Sequence, residues 1–348
     1  MTAIVEHPRK SISKKLRLGF LGVGWIGRHR MKALLDSGVA EAVAVADPSE
    51  ECLAEARKIA PAAKPAGDLE RLLEEDIDGI VIATPSADHA EQTLQALARG
   101  IPVFCQKPLG RNHQEARAVV DAARAADRLL GLDLSYRYTQ AMRRIRPVIA
   151  DGGIGRVHAV DLVFHNAYGP DKPWFYDPAL SGGGCVIDLG VHLVDLALWT
   201  LGSPQVVDVS SHLFAKGELL SADPKVVEDF AVGTLTLETG AVVRLACSWR
   251  LNAGQDAEIV AAFYGTEGGS ALRNVNGSFY DFVAERYHGT SREQLALPPD
   301  DWGGRAAIDW AVRLSADPRY DRQAEQFVMV AEVLDRIYGR QSLRAAAE

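Results

Sequence analysis

The stretch from Leu16 to Gly38, "LRLGFLGVGWIGRHRMKALLDSG", decides the fold. An apolar run from Leu16 to Val23 reads as a buried strand, Gly22, Gly24 and Gly27 mark a turn, and a helical pattern carries on to Gly38. The three glycines stand in G-x-G-x-x-G spacing between strand and helix, the arrangement that cradles a dinucleotide. The first permits a tight turn, the second lets backbone approach a pyrophosphate, and the third lets helix pack on strand, while the helix N-terminus offers unpaired N–H groups to the phosphates. Trp25 and Ile26, between the last two glycines, are expected to border the cofactor. A second strand, "AEAVAVADP", closes at Asp47, about twenty residues past the last glycine, where the ribose-binding acid belongs. A carboxylate there repels a 2′-phosphate and no Arg or Lys follows until Arg57, so NAD is expected over NADP.

Outward from this unit the rhythm continues. "EECLAEARKIA" and "GDLERLLEEDI" read as helices, "DGIVIATPS" as a buried strand, "DHAEQTLQALARG" as a helix and "IPVFCQKPLG" as the next strand. Alternating strands and helices through Leu134 predict a parallel sheet covered on both faces, an α/β Rossmann domain over 16–134. Beyond it, "RVHAVDLVFHNAY", "QVVDVSSHLFAK", "EDFAVGTLTLE", "GAVVRLACSWR", "DAEIVAAFYG" and "GSALRN" read as strands joined by short turns, with one clear helix around 186–201. They predict an α+β domain over 135–348 built on a large, mostly antiparallel open sheet. The helical tail from Arg305 to Tyr338 is free to pack back on the first domain, and residues 1–15 read as a solvated arm.

The composition excludes several roles. A chain of 348 residues suits two domains, and a net charge of -8 lacks the basic stripe of a nucleic-acid binder. Cys52, Cys105, Cys185 and Cys247 show neither metal-ligand spacing nor a disulfide framework. The basic N-terminus has no apolar core or cleavage site, and no apolar run approaches the roughly 18 residues of a membrane span. A soluble, cytoplasmic protein acting on a small molecule is expected, with no nucleic-acid or membrane partner.

Two further stretches carry chemistry. "IPVFCQKPLG", Ile101–Gly110, runs a buried strand straight into Lys107. "SGGGCVIDLGVHLVDLALWTLG" places Asp188 and His192 at i and i+4 with Asp195 a turn on, so a helix would carry all three on one side. A histidine beside a carboxylate is a proton-shuttle pattern. On a helix such a pair is more often a surface or capping interaction than a catalytic one, and as a zinc site it has two candidate ligands without a third. The triple glycine, Gly182–Gly184, brings backbone close to something just ahead of that helix.

The glycine loop, "ATPSADHAEQTLQALARGIPVFCQKPLG" and "GGGCVIDLGVHLVDLALWTLG", in order across nearly the whole chain, resemble the glucose-fructose oxidoreductase, inositol dehydrogenase and MocA family. In that family a Glu-Lys-Pro motif ends a Rossmann strand, and its lysine meets nicotinamide and substrate beside the Asp and His of the second-domain helix. The resemblance implies Lys107, Asp188 and His192 as the catalytic group of a metal-free dehydrogenase of sugars or polyols, with His192 the base, Asp188 orienting it and Lys107 holding the hydroxyl. Thr84, Pro85, His89 and Gln106 are expected beside the cofactor, with Gln106 standing where the family has Glu. Tyr136, Arg137, His165 and Trp174 are expected on the substrate side, with Tyr168 and Tyr176 weaker candidates and Arg137 equally a structural ion-pair partner. The family's sheets pair between subunits, which implies a homodimer or homotetramer. Transient redox in a glycosidase-like reaction and a non-enzymatic NAD-binding sensor are the alternatives.

Overall fold

The structure, a computed structural model, describes residues 14–221 and 225–340; the predicted arm lies almost wholly outside them. The first sheet is parallel throughout. Its strands are β1 (Leu16–Leu21), β2 (Ala40–Ala46), β3 (Lys64–Pro65), β4 (Gly79–Ile82), β5 (Val103–Cys105) and β6 (Leu130–Leu132), in the order β3-β2-β1-β4-β5-β6. Between them run α1 (Trp25–Asp36), α2 (Glu50–Ile59), α3 (Leu69–Leu72), α4 (Ser86–Ala98) and α5 (His113–Ala126). The short α3 corrects the longer helix expected from "GDLERLLEEDI". Asp68 caps its start, but Glu74, Glu75 and Asp76 would crowd negative charge at its carboxyl end, where the helix dipole disfavours it.

The strand order reverses between β1 and β4, so a crevice opens beyond their carboxyl ends. Gly22, Thr84, Lys107 and Asp133 all lie just past the ends of β1, β4, β5 and β6, which gathers them at that one edge.

After α6 (Gln140–Ala150), the second sheet takes up β7 (Val157–Asn166), β8 (Val206–Ala215), β9 (Glu218–Leu219), β10 (Phe230–Leu237), β11 (Val242–Ser248), β12 (Ala257–Gly265), β13 (Gly269–Asn274), β14 (Phe282–His288) and β15 (Ser291–Ala296). The order is β15-β14-β13-β12-β7-β11-β10-β8-β9, and among the described strands of this sheet only β7 and β11 pair in parallel. The last two strands escaped the sequence reading because "FVAERYH" carries its apolar residues in one short run before a polar end and "SREQLA" is a largely polar, exposed edge strand.

Alternation sorts the faces. Val160, Leu162 and Phe164 of β7, with Val243, Leu245 and Cys247 of β11, are buried beneath the helical side of the sheet. That side carries α7 (Pro178–Ser181), a π-helical turn (Val186–Gly190) and α8 (Val191–Thr200). The run Pro178–Thr200 is long and apolar enough to cross a membrane by length and composition, a feature the sequence reading overlooked, and most of it is buried in this core. Two final helices follow, α9 (Arg305–Ala316) and α10 (Glu325–Ile337). Trp310 of α9 packs back on the first sheet against Phe104, ring centroids 5.7 Å apart. Gly79 and Gly131 make room for it: a Cβ on either would lie within 3 Å of the indole.

Candidate active site

A cleft of about 610 Å³ runs along the carboxyl edge of the first sheet and is walled on its other side by Trp174, Phe175, Asp188 and His192. The three fingerprint glycines divide the labour. Gly22 adopts φ +79, and a Cβ there would sit 2.6 Å from the Ala83 backbone. A Cβ on Gly27 would lie 2.0 Å from the Gly22 carbonyl oxygen, so Gly27 packs beneath the loop and does not line the cleft. Gly24 differs: a Cβ on it meets nothing within 4 Å, and the residue borders the cleft at the start of α1. No side chain caps that helix and no acid occupies its first turn, so its N–H groups suit a pyrophosphate.

Trp25, Ile26, Asp47, Thr84, Pro85, Gln106 and Lys107 line the same cleft. Asp47 Oδ2 accepts from the Val23 N–H at 2.8 Å and its Oδ1 from the Ser49 N–H at 2.9 Å, which ties the end of β2 to the glycine loop. Gln106 turns its Oε1 back to accept from the Lys107 N–H at 2.9 Å. His89 also touches the cleft but is buried, its Nδ1 2.6 Å from the Pro108 carbonyl oxygen and its Nε2 2.8 Å from that of Thr84. It braces the loops after β4 and β5 against each other, and burial holds its pKa below the ordinary histidine value.

Lys107 Nζ donates to Asp188 Oδ1 at 2.6 Å and to the Asp188 carbonyl at 2.8 Å. Asp188 Oδ2 accepts from the Trp249 indole N–H at 3.0 Å. Both carboxylate oxygens therefore have partners other than His192, which corrects the expectation that Asp188 orients the imidazole. The physical reason is local winding: Asp188 lies in the π-helical turn, wider than the α-helix on which the i, i+4 reading relied. His192 Nδ1 is buried without a partner, which leaves Nε2 as the nitrogen able to serve the cleft. The ring packs on Tyr136, centroids 4.8 Å apart. Burial above all, then the positive charges of Lys107 and Arg30, hold His192 well below the ordinary histidine pKa, so it is neutral at pH 7.

Other expected substrate residues stand elsewhere. Tyr136 forms the wall behind His192, packed among Phe164, Phe282 and Trp302. Arg137 is outside the cleft: its Nε donates to both oxygens of buried Asp195, at 2.8 and 3.0 Å, and its Nη1 to Gln326. His165 follows buried Phe164 on β7 and so faces the opposite side of the sheet, bonded to Ser248 and stacked on Phe230. Tyr168 and Tyr176 are exposed and bonded to Asp256 and the Pro170 carbonyl; neither lines the cleft. Of this group Trp174 alone does, stacked on Phe175 with centroids 3.8 Å apart.

The Arg137–Asp195 pair sets up a stability prediction. Asp195→Ala leaves a guanidinium buried without its carboxylate and should cost about 3–5 kcal/mol, read by urea unfolding, with kcat unchanged in the folded enzyme. Lost turnover at unchanged stability would return Arg137 to the substrate.

Several residues that touch the site or its members, Phe175 of the cleft wall among them, were not read from sequence. Arg30 and Asp133 form a buried ion pair on the cleft floor, Nε to Oδ2 2.5 Å, and Trp249 holds Asp188. Arg30 carried a usable signal, a charge on the helix face that also buries Gly27, Met31 and Leu34. Trp249, on another element and distant in sequence, carried none.

The first sheet and its loop form an NAD(P)-binding Rossmann domain, and the chain is an oxidoreductase: residues 16–134 match the model of the oxidoreductase family with an NAD-binding Rossmann fold. Residues 142–270 match the GFO/IDH/MocA C-terminal domain, and the chain belongs to the Gfo/Idh/MocA family. The D-glucoside 3-dehydrogenase of Escherichia coli (strain K12) is 30% identical over 56% of this chain, a match spanning 58% of that relative's length. The 1,5-anhydro-D-fructose reductase of Ensifer adhaerens is 30% identical over 74% of this chain and 76% of its own. The crystal structure of GenD2 from gentamicin A biosynthesis, in complex with NAD, shares the fold with a TM-score of 0.79 at 24% identity, covering 94% of this chain and 95% of that one.

Proposed function

We propose that the enzyme transfers a hydride between C4 of the nicotinamide of NAD and a secondary carbinol carbon of a sugar, polyol or inositol-like substrate, using Lys107, Asp188 and His192. The supporting observation is the bonded Lys107–Asp188 pair lining, together with His192, the cleft that the glycine loop borders. When bound, the nicotinamide supplies the hydride acceptor or donor. His192 Nε2 takes the hydroxyl proton, being neutral and ready as a base. Lys107 Nζ hydrogen-bonds the substrate oxygen and favours its alkoxide character; in the reverse direction the same cation polarises the carbonyl. Asp188 fixes the lysine's position rather than the histidine's.

The substrate class draws on the names of the relatives, a glucoside dehydrogenase and an anhydrofructose reductase, and on the faces of Trp174 and Phe175, which suit a sugar ring. NAD is favoured over NADP because Asp47 borders the cleft and Glu50 and Glu51 open α2 beside it. The test is growth of the reduced-nicotinamide absorbance when NAD or NADP is offered with pyranosides, polyols and inositols. Growth with NAD and one of these classes supports the reading, and growth with none overturns it.

The working enzyme is a cytoplasmic homodimer or homotetramer in this reading. Its free cysteines suit a reducing compartment, and the sheet face bearing Val163, Val232 and Ala246, only half-buried, is the pairing surface. Light scattering should find a dimer or tetramer; a monomer at micromolar concentration would refute the pairing.

A further inference from the structure

The triple glycine is not explained by the cleft chemistry alone. A Cβ on Gly184 would lie 1.9 Å from the Glu228 carbonyl oxygen, and one on Gly183 would lie 2.0 Å from the Tyr338 hydroxyl. The something that these glycines admit is therefore Glu228 and the end of α10. Glu228 is 1% exposed, and its carboxylate accepts from the Gly184 N–H at 3.0 Å, the Val186 N–H at 2.9 Å and the Tyr338 hydroxyl at 2.7 Å. Its own carbonyl accepts from the Cys185 N–H at 3.1 Å. Every residue from Gly184 to Val186 is thus gripped by one buried side chain or its backbone. Two residues further on, Asp188 donates its N–H back to the Gly184 carbonyl at 3.1 Å. Asp229, the residue after Glu228, accepts through its carbonyl from the N–H of Trp249, whose indole holds Asp188.

We propose that Glu228 is a positioning residue: by clamping Gly184–Val186 and, through Asp229, seating Trp249, it aims the Asp188 carboxylate at Lys107. This inference rests on the roles given to Lys107 and Asp188 above. The clamp acts from both sides of Asp188, on the backbone before it and on the indole bonded to it. Tyr338 extends the grip to α10, so the end of the last described helix is mechanically part of the site. A carboxylate suits this task because Oε1 accepts from all three donors while Oε2 shares the Gly184 N–H; an amide in its place sets either a donor against that N–H or a donor at the point where the three bonds converge.

The test is Glu228→Gln, with Tyr338→Phe as a gentler variant that removes one hydroxyl. Glu228→Gln should lower kcat about 10–100-fold, the range seen when a residue that orients a reacting group is lost, with NAD affinity by fluorescence titration within twofold of the parent. Tyr338→Phe should move kcat the same way by less. In an Asp188→Asn background Glu228→Gln should have no further effect on kcat, because its action passes through Asp188. Reduced thermal stability with parental kcat would make Glu228 a structural clamp only and overturn the proposal. A crystal structure of Glu228→Gln decides it independently of turnover: displacement of Asp188 from Lys107 upholds it, and an unmoved pair refutes it even if the parent protein oxidises no alcohol.

Discussion

Lys107→Ala should lower kcat for alcohol oxidation by about 10²–10³-fold, the cost of losing a donor aimed at a developing oxyanion, while NAD affinity stays within a few-fold. The split follows from geometry. Lys107 Nζ is committed to the Asp188 carboxylate and carbonyl, at 2.6 and 2.8 Å, on the side of the cleft away from the glycine loop. The contacts suited to the pyrophosphate and ribose lie at Gly24, the start of α1 and Asp47, none of which bonds to the lysine. Asp188 keeps its Trp249 partner in the variant, so the fold around it should survive. Steady-state kinetics with a fluorescence titration of NAD checks both halves, and parallel loss of cofactor binding would make Lys107 a structural residue instead.

His192→Ala should cost about 10²–10⁴-fold in kcat, the usual contribution of a positioned base. The parent's pH profile carries the more specific expectation. Burial and the neighbouring cations of Lys107 and Arg30 depress the His192 pKa, so its base form persists into acid. The plateau of kcat/KM for oxidation should therefore run down through pH 6.5 and break only below it, and a break above 6.5 would contradict the assignment. The same shift makes folding depend on pH. The unfolded chain binds a proton at this ring near pH 6.5 and the folded chain does so only at lower pH, so this group makes stability fall as pH drops below about 6.5.

What could be read from sequence was what the chain writes locally. The glycine loop, Asp47 and the strand that ends on Lys107 depend on spacing within about thirty residues, and all reach one sheet edge because β1, β4 and β5 are parallel neighbours. His165 shows a reading that local rules should have prevented: if Phe164 faces the core, strand alternation turns its neighbour outward. Arg137 could not be settled from its surroundings, since its partner Asp195 lies on α8 and only the fold joins them. Asp188 lines the cleft with Lys107 rather than His192 as its partner, an arrangement that apolar periodicity does not register because a π-helical turn leaves no mark in it. Glu228 was invisible as a site residue, being one acid in the strand-like run "EDFAVGTLTLE" whose partners lie over forty residues before it and over a hundred after it.

The central claim is hydride transfer from a ring carbon to nicotinamide, with release of the reduced cofactor. It is tested most directly with a pyranoside or inositol deuterated at its secondary carbinol carbons and NAD in excess, by mass spectrometry of the dinucleotide. The account predicts NADH carrying one deuterium, accumulating with the ketone product and absent with Lys107→Ala. Unlabelled NAD throughout, whether the glycoside is cleaved or left untouched, would contradict it.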